Sequence, residues 1–155
     1  MILDTRNTFA KQISVAAAAG TAIVGDVIDL GATHRDIGNG GDNYLVISVD
    51  TEIITGGVAG TVKFQLVSDT NPNLVTSPTV HFDSGTFATG AASTNPLLAA
   101  GKTLVMVELP LEGPVYKRYL GIVCVTATTT TTAGKVNAAL TLDERGWSAY
   151  AEGVN

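Results

Sequence analysis

A chain of 155 residues, 45% hydrophobic and only 15% charged, is long enough to bury roughly two-thirds of the surface its unfolded form exposes, so it needs neither a disulfide nor a metal to fold. The net charge of −5, with Lys117-Arg118 as the only adjacent basic pair, speaks against the clustered cations that phosphate-backbone binding requires, and no nucleic-acid partner is expected. The single cysteine, Cys124, excludes an internal disulfide, and no apolar run approaches the ~20 residues of a membrane span, so no membrane partner is expected.

Residues 1–10 carry Ile2, Leu3 and Phe9 with charges between them, and read as either a first strand or an arm that packs on something else. The start lacks a long apolar core, so no signal peptide is expected. Gln12 to Ala19 is alanine-rich, yet Ile13 and Val15 alternate, which predicts a strand before the Gly20-Thr21 break. Ala22 to Leu30 is strand-like, with Gly25 inside it as a bend or bulge. A polar loop over 31–43 follows. Asn43 to Asp50 sets Leu45, Ile47 and Val49 on one face, and Thr61 to Ser68 does the same with Val62, Phe64 and Leu66. The glycine-rich connector 55–60 between these two runs suggests an antiparallel pair. Two short candidate strands, 78–83 and 84–89, come next. A loop over 90–101 then holds one possible helical turn at 96–100.

Residues 103–143 are the stretch around which the rest is organised. Leu104 to Val107 is one apolar run, Tyr119 to Val125 is the most apolar run in the chain, and Val136 to Leu142 alternates cleanly. They predict three successive strands, with the threonine tract 128–132 as a strand end entering a loop, because threonine suits an exposed pleated surface. Eight or nine short strands with regularly spaced turns, and no convincing helix, predict an all-β antiparallel sandwich with Greek-key or jelly-roll connections. The domain is expected to be single, spanning 1–155, with an N-terminal arm (1–10) and a C-terminal tail (144–155). The expected core is Leu45, Ile47, Phe64, Leu66, Val107, Ile122, Val136 and Leu140.

Catalytic chemistry finds little support. His34 and His81 with Asp36 and Asp83 could supply a metal's ligands in number, but no spacing brings them together, so no metal site and no cofactor is expected. The loop 37–45 matches one calcium-binding nonapeptide of a β-helix, a motif that works only in stacked repeats, and it reads as a turn. Ser84 lacks the G-x-S-x-G elbow of a nucleophile. Cys124, between apolar neighbours, reads as a core residue. No positioned nucleophile, base or cofactor loop appears, and the chain is not expected to be an enzyme.

Contact residues are easier to nominate. Pro110 to Arg118 is a loop shaped by two prolines and Gly113, and it either turns a sandwich corner or presents Tyr116, Lys117 and Arg118 to a partner. Trp147 and Tyr150 either fold back on their own domain or anchor a neighbour. Ile2, Leu3 and Phe9 join them as candidate partner contacts.

Several motifs, in this order and spacing, resemble the small jelly-roll capsid cement proteins of tailed bacteriophages. They are Met1-Ile2-Leu3-Asp4, Val27-Ile28-Asp29-Leu30-Gly31, Arg35-Asp36-Ile37-Gly38, Tyr44-Leu45-Val46, Leu109-Pro110 with Gly113-Pro114 and Arg118-Tyr119-Leu120-Gly121, and Ala139-Leu140-Thr141-Leu142-Asp143. The resemblance implies a jelly-roll that forms small homo-oligomers, with a dimer favoured over a trimer. It would sit on the outer surface of an icosahedral head as a virion component and clamp neighbouring major capsid protein subunits. An alternative from another class is a carbohydrate-binding or adhesin-like sandwich of a phage particle.

Overall fold

The computed structural model of the chain describes residues 5–33, 37, 43–92, 95–110 and 113–142. Ten strands account for most of them: β1 (Thr8–Ser14), β2 (Gly20–Ile23), β3 (Ile28–Asp29), β4 (Tyr44–Thr55), β5 (Gly60–Asp69), β6 (Thr79–Asp83), β7 (Phe87–Thr89), β8 (Thr103–Glu108), β9 (Tyr119–Ala127) and β10 (Thr131–Thr141). Every pairing is antiparallel. One sheet has the order β1-β10-β4-β8. The other has the order β2-β9-β5-β6, with β3 also on β9 and β7 also on β5. Counting β2 with β3 and β6 with β7, eight strand positions divide equally between two sheets, and each step along the chain crosses between them except the one from β5 to β6. That is a jelly-roll, and the all-β sandwich expected from the sequence is the fold observed.

The core lies between the sheets. Leu45, Ile47, Phe64, Leu66, Ile122, Val136 and Leu140 are buried in it, as expected, and Val107 packs against it half-buried because β8 is an edge strand. β9 is central and buried on both faces. Leu120, Ile122 and Cys124 point into the main core, while Val123 faces outward under a loop. Burial on both sides is why this strand reads as an unbroken apolar run rather than an alternation.

Three expectations are corrected. β4 and β5 do not pair: β4 lies between β10 and β8, and β5 lies between β9 and β6. The glycine-rich connector is therefore a crossing between sheets, not a hairpin. Alternation in each strand defines its buried face, and that face is equally satisfied across a sandwich as beside a neighbour. The strand at 12–19 begins earlier and ends sooner, at Thr8 and Ser14. Its alanines then carry the chain from one sheet to the other. Thr131, fully buried, pins that crossing: its hydroxyl donates to the Val15 carbonyl (2.7 Å) and accepts from the Ala17 N–H (2.9 Å). The strand at 22–30 is split into β2 and β3 at Gly25. Its φ of +73° belongs to glycine, and a Cβ there would lie 2.0 Å from the Phe9 carbonyl oxygen. The one helical turn foreseen near 96–100 is present as a 3-10 turn at Pro96–Leu98, capped by the Asn95 side chain accepting from the Leu97 N–H.

Candidate partner-contact surface

The loop between β8 and β9 is a turn by composition, with Pro110, Gly113 and Pro114 preventing a continued strand. From Pro114 onward it folds back over one end of the sandwich, and nearly every polar group it carries is used to hold it there. Tyr116 lies flat on His81 of β6, with ring centroids 3.8 Å apart and planes inclined by 10°. The Tyr116 hydroxyl is buried without a hydrogen-bond partner, and burial pushes its pKa up to about 12. His81 Nε2 is 2.7 Å from the hydroxyl of fully buried Ser68, and the same oxygen accepts the Lys117 N–H at 2.9 Å. Burial, and then the Lys117 ammonium, hold His81 below the usual imidazole range. The Lys117 ammonium turns inward onto the Ser77 carbonyl and hydroxyl.

Arg118 faces the other way. Its Nε and guanidinium NH2 group reach the two oxygens of Asp29 at 2.9 and 2.8 Å, and the guanidinium carbon stands 4.9 Å from the centre of the Tyr119 ring. That bond, followed by the Gly31 N–H, holds the Asp29 carboxyl down at about 2. The Arg118 carbonyl accepts from the Leu30 N–H, so β3 is tied to β9 through both side chain and backbone. The two cations read from the sequence as exposed contacts are thus engaged within the chain. Beside the half-exposed Arg118–Asp29 pair, the corner holds an apolar side chain outward: Val115 is 82% exposed, next to a shallow depression formed with Thr70, Tyr116 and Arg118.

A second loop braces the same end. Asp69, fully buried, accepts from the Asn71 and Ser77 N–H groups and from the Thr70 and Ser77 hydroxyls. Desolvation raises its pKa, but these bonds, led by the Ser77 N–H, outweigh it and keep the carboxyl below its usual value. The turn so fixed folds Leu74 onto Val67 and Val123, with Val27 and Tyr119 alongside, as a small second core on the outer face of the sheet. Gly121 makes room for it, since a Cβ there would meet Leu74 Cδ1 at 2.6 Å. Val75, at the crest, is exposed.

The N-terminal candidates divide. Phe9 is 1% exposed, in β1 and part of the main core, so it is not available as an anchor. This corrects the expectation that placed it on an arm. Its flanking charges misled, because they lie on the 3-10 turn Thr5–Asn7 and on the exposed end of β1. Ile2, Leu3, Trp147 and Tyr150 lie outside the described residues, as do His34 and Asp36. Among the described residues no group of three or more His, Cys, Asp or Glu side chains is placed to hold a metal ion. His81 is hydrogen-bonded, the Ser84 hydroxyl accepts the Phe64 N–H, and Cys124 is buried with its thiol pushed up to about 11 by burial. Sequence reading missed Ser68, Asp69 and Asp29 as the fixtures of this surface. The Asn71-Pro72-Asn73 turn signal was the one available pointer to the loop that Asp69 organises.

A comparison with curated proteins finds no match. A family model described as Bbp16 matches residues 11–140, from within β1 to within β10, and its match together with the all-β fold is compatible with a phage-related structural protein. Since the matched segment takes in most of the chain and nearly the whole jelly-roll, the protein belongs to the Bbp16 family.

Proposed function

We propose that this protein is a capsid cement, or decoration, protein: a structural component of the virion that binds the outside of a phage head and stabilises contacts between major capsid protein subunits. The observation that carries the reading is the braced corner. Tyr116, Lys117 and Arg118 are each fixed to the domain, while Val115 between Pro114 and Tyr116 is held outward on a rigid support. A pre-ordered apolar contact binds with less loss of chain freedom than a mobile one. A modest gain of about 1.5–3 kcal/mol per buried aliphatic side chain, repeated over many copies on a closed lattice, acts together. Membership of the Bbp16 family and the ordered motifs of the cement-protein resemblance support the same reading. On it, the major capsid protein is the partner, the outer capsid surface is the location, and the protein self-associates.

The test is the thermal rupture of phage heads carrying full-length protein, a Val115→Asp variant or no added protein. Full-length protein raises the rupture temperature and the variant protects less. Equal rupture with and without full-length protein rejects the cement reading, and glycan-array binding without head binding replaces it with the carbohydrate-binding one.

A further inference from the structure

We propose that the Pro114–Arg118 corner is closed by an acid-sensitive latch, in which a proton added to His81 releases Tyr116 and Lys117 from the end of the sandwich. The hydrogen-bond inventory at Ser68 is the reason. Its hydroxyl has one hydrogen to give and two lone pairs to receive. The Lys117 N–H occupies one lone pair at 2.9 Å, and His81 Nε2 stands 2.7 Å away. With His81 neutral and its own hydrogen on Nδ1, Ser68 donates to Nε2, and the Lys117 N–H, the Ser68 hydroxyl and Nε2 each have a partner. Protonation turns Nε2 into a donor. Two N–H groups then aim at one oxygen, and the serine hydrogen loses its acceptor in a site with no solvent exposure, an arrangement that costs the desolvation of a buried polar group.

The surrounding charges do not compensate. Lys117, on the corner, repels an imidazolium, and its ammonium is already on Ser77. Asp69, next to Ser68 on β5, has both oxygens taken by the 70–77 turn. Asp83, two residues along β6, is held by Lys63 at 3.0 Å and by Gln65 at 2.6 Å. Arg118 is paired with Asp29. Tyr116, stacked on the ring, stays a neutral phenol through the acid range. A histidine whose folded pKa lies below its usual value of 6.5 gives full stability above that value. Stability is then lost as pH falls through it, because the open state binds the proton more readily.

The latch stands on the isolated chain; only its consequence for attachment, a weaker grip on heads in the same pH window, rests on the proposed function. The test is therefore made on the free full-length protein by NMR, following the His81 ring and the exchange protection of the Lys117 amide from about pH 7.5 to about pH 5. Wild-type Lys117 protection, corrected for intrinsic exchange, falls at least ~3-fold over this range while that of Val136 in the core holds. In His81→Gln, which keeps an acceptor for Ser68 and cannot be protonated, the Lys117 amide is insensitive to pH. The same loss in His81→Gln, or a His81 titration at or above the usual value, overturns the latch. Should His81→Gln fail to fold, the wild-type titration decides alone: a lowered value moving together with Lys117 exchange supports the latch, and any other result rejects it.

Discussion

Arg118 grips both oxygens of Asp29, joining the start of β9 to the two-residue strand β3. The pair is half-exposed, so its value lies less in overall stability than in fixing the short β3 and the corner that precedes β9. Replacing Arg118 with Met removes the guanidinium hydrogen bond that does most to depress the Asp29 pKa. The Asp29 carboxyl then titrates closer to 3.8 than to 2, as read by carboxyl-carbon NMR. In the wild type, this pair's contribution is present above the usual carboxylate value and is lost as pH falls through about 2, since the depressed folded pKa means the unfolded chain binds the proton first.

Phe64 is wholly buried at the centre of the sandwich, and Phe64→Ala costs about 3–5 kcal/mol in denaturant unfolding. Phe9→Ala falls in the same range, although Phe9 stands only nine residues from the start of the chain. A loss under about 1 kcal/mol at Phe9 would return it to the role of a surface anchor.

On the proposed cement function, any N-terminal contact with heads excludes Phe9, which is buried in β1. Removing residues 1–4 leaves β1 and Phe9 in place, so the domain melts as before while its protection of heads weakens. Removing residues 1–9 deletes a core side chain as well, and lowers the melting temperature of the free protein. Calorimetry of both truncations, beside head-rupture assays, separates the two effects. If the four-residue truncation protects heads as well as the full chain does, Ile2 and Leu3 are not contacts.

Gly25→Ala tests the break between β2 and β3. The added methyl meets the Phe9 carbonyl, to which the Asp26 N–H also donates at 2.6 Å, in a backbone conformation that disfavours any side chain. The expected loss exceeds about 1 kcal/mol in chemical denaturation. A neutral result would mean that β1 and the 24–27 bend move apart without cost.

Asp69→Ala leaves the Asn71 and Ser77 N–H groups without their acceptor and frees the loop that carries Leu74. Limited proteolysis should then cut within 70–77 in the variant and spare the wild type. Leu74→Ala, which keeps the turn and empties the small outer core, costs about 2–5 kcal/mol without creating that cleavage site.

The sequence discloses faces more readily than partners. Phe64, Leu66, Ile47 and Leu45 were assigned to the core from alternation alone, because a period of two determines which side of a strand is apolar whatever lies opposite. β4 and β5 could not be placed in different sheets that way, since the same alternation serves a hairpin and a crossing. The corner was recognisable as a turn from Pro110, Gly113 and Pro114. Its fastening was not, because Ser68, His81 and Asp29 lie 49, 35 and 89 positions from the residues they hold. Phe9 was misassigned because a strand opening directly after a 3-10 turn shows too few residues for its alternation to be read.

The strand order also sets a timetable for synthesis. β9 and β10, one inner strand of each sheet, are the last of the ten to leave the ribosome, and among the described residues β1, β2 and β3 pair with no strands except these two. Of the described pairings, a nascent chain that stops before Tyr119 can form only β4–β8, β5–β6 and β5–β7, two fragments that lack β9 and β10. Folding is therefore a late event of the whole chain, slow as long-range β pairings are. Prematurely terminated copies expose edge strands and remain candidates for aggregation or degradation rather than for assembly.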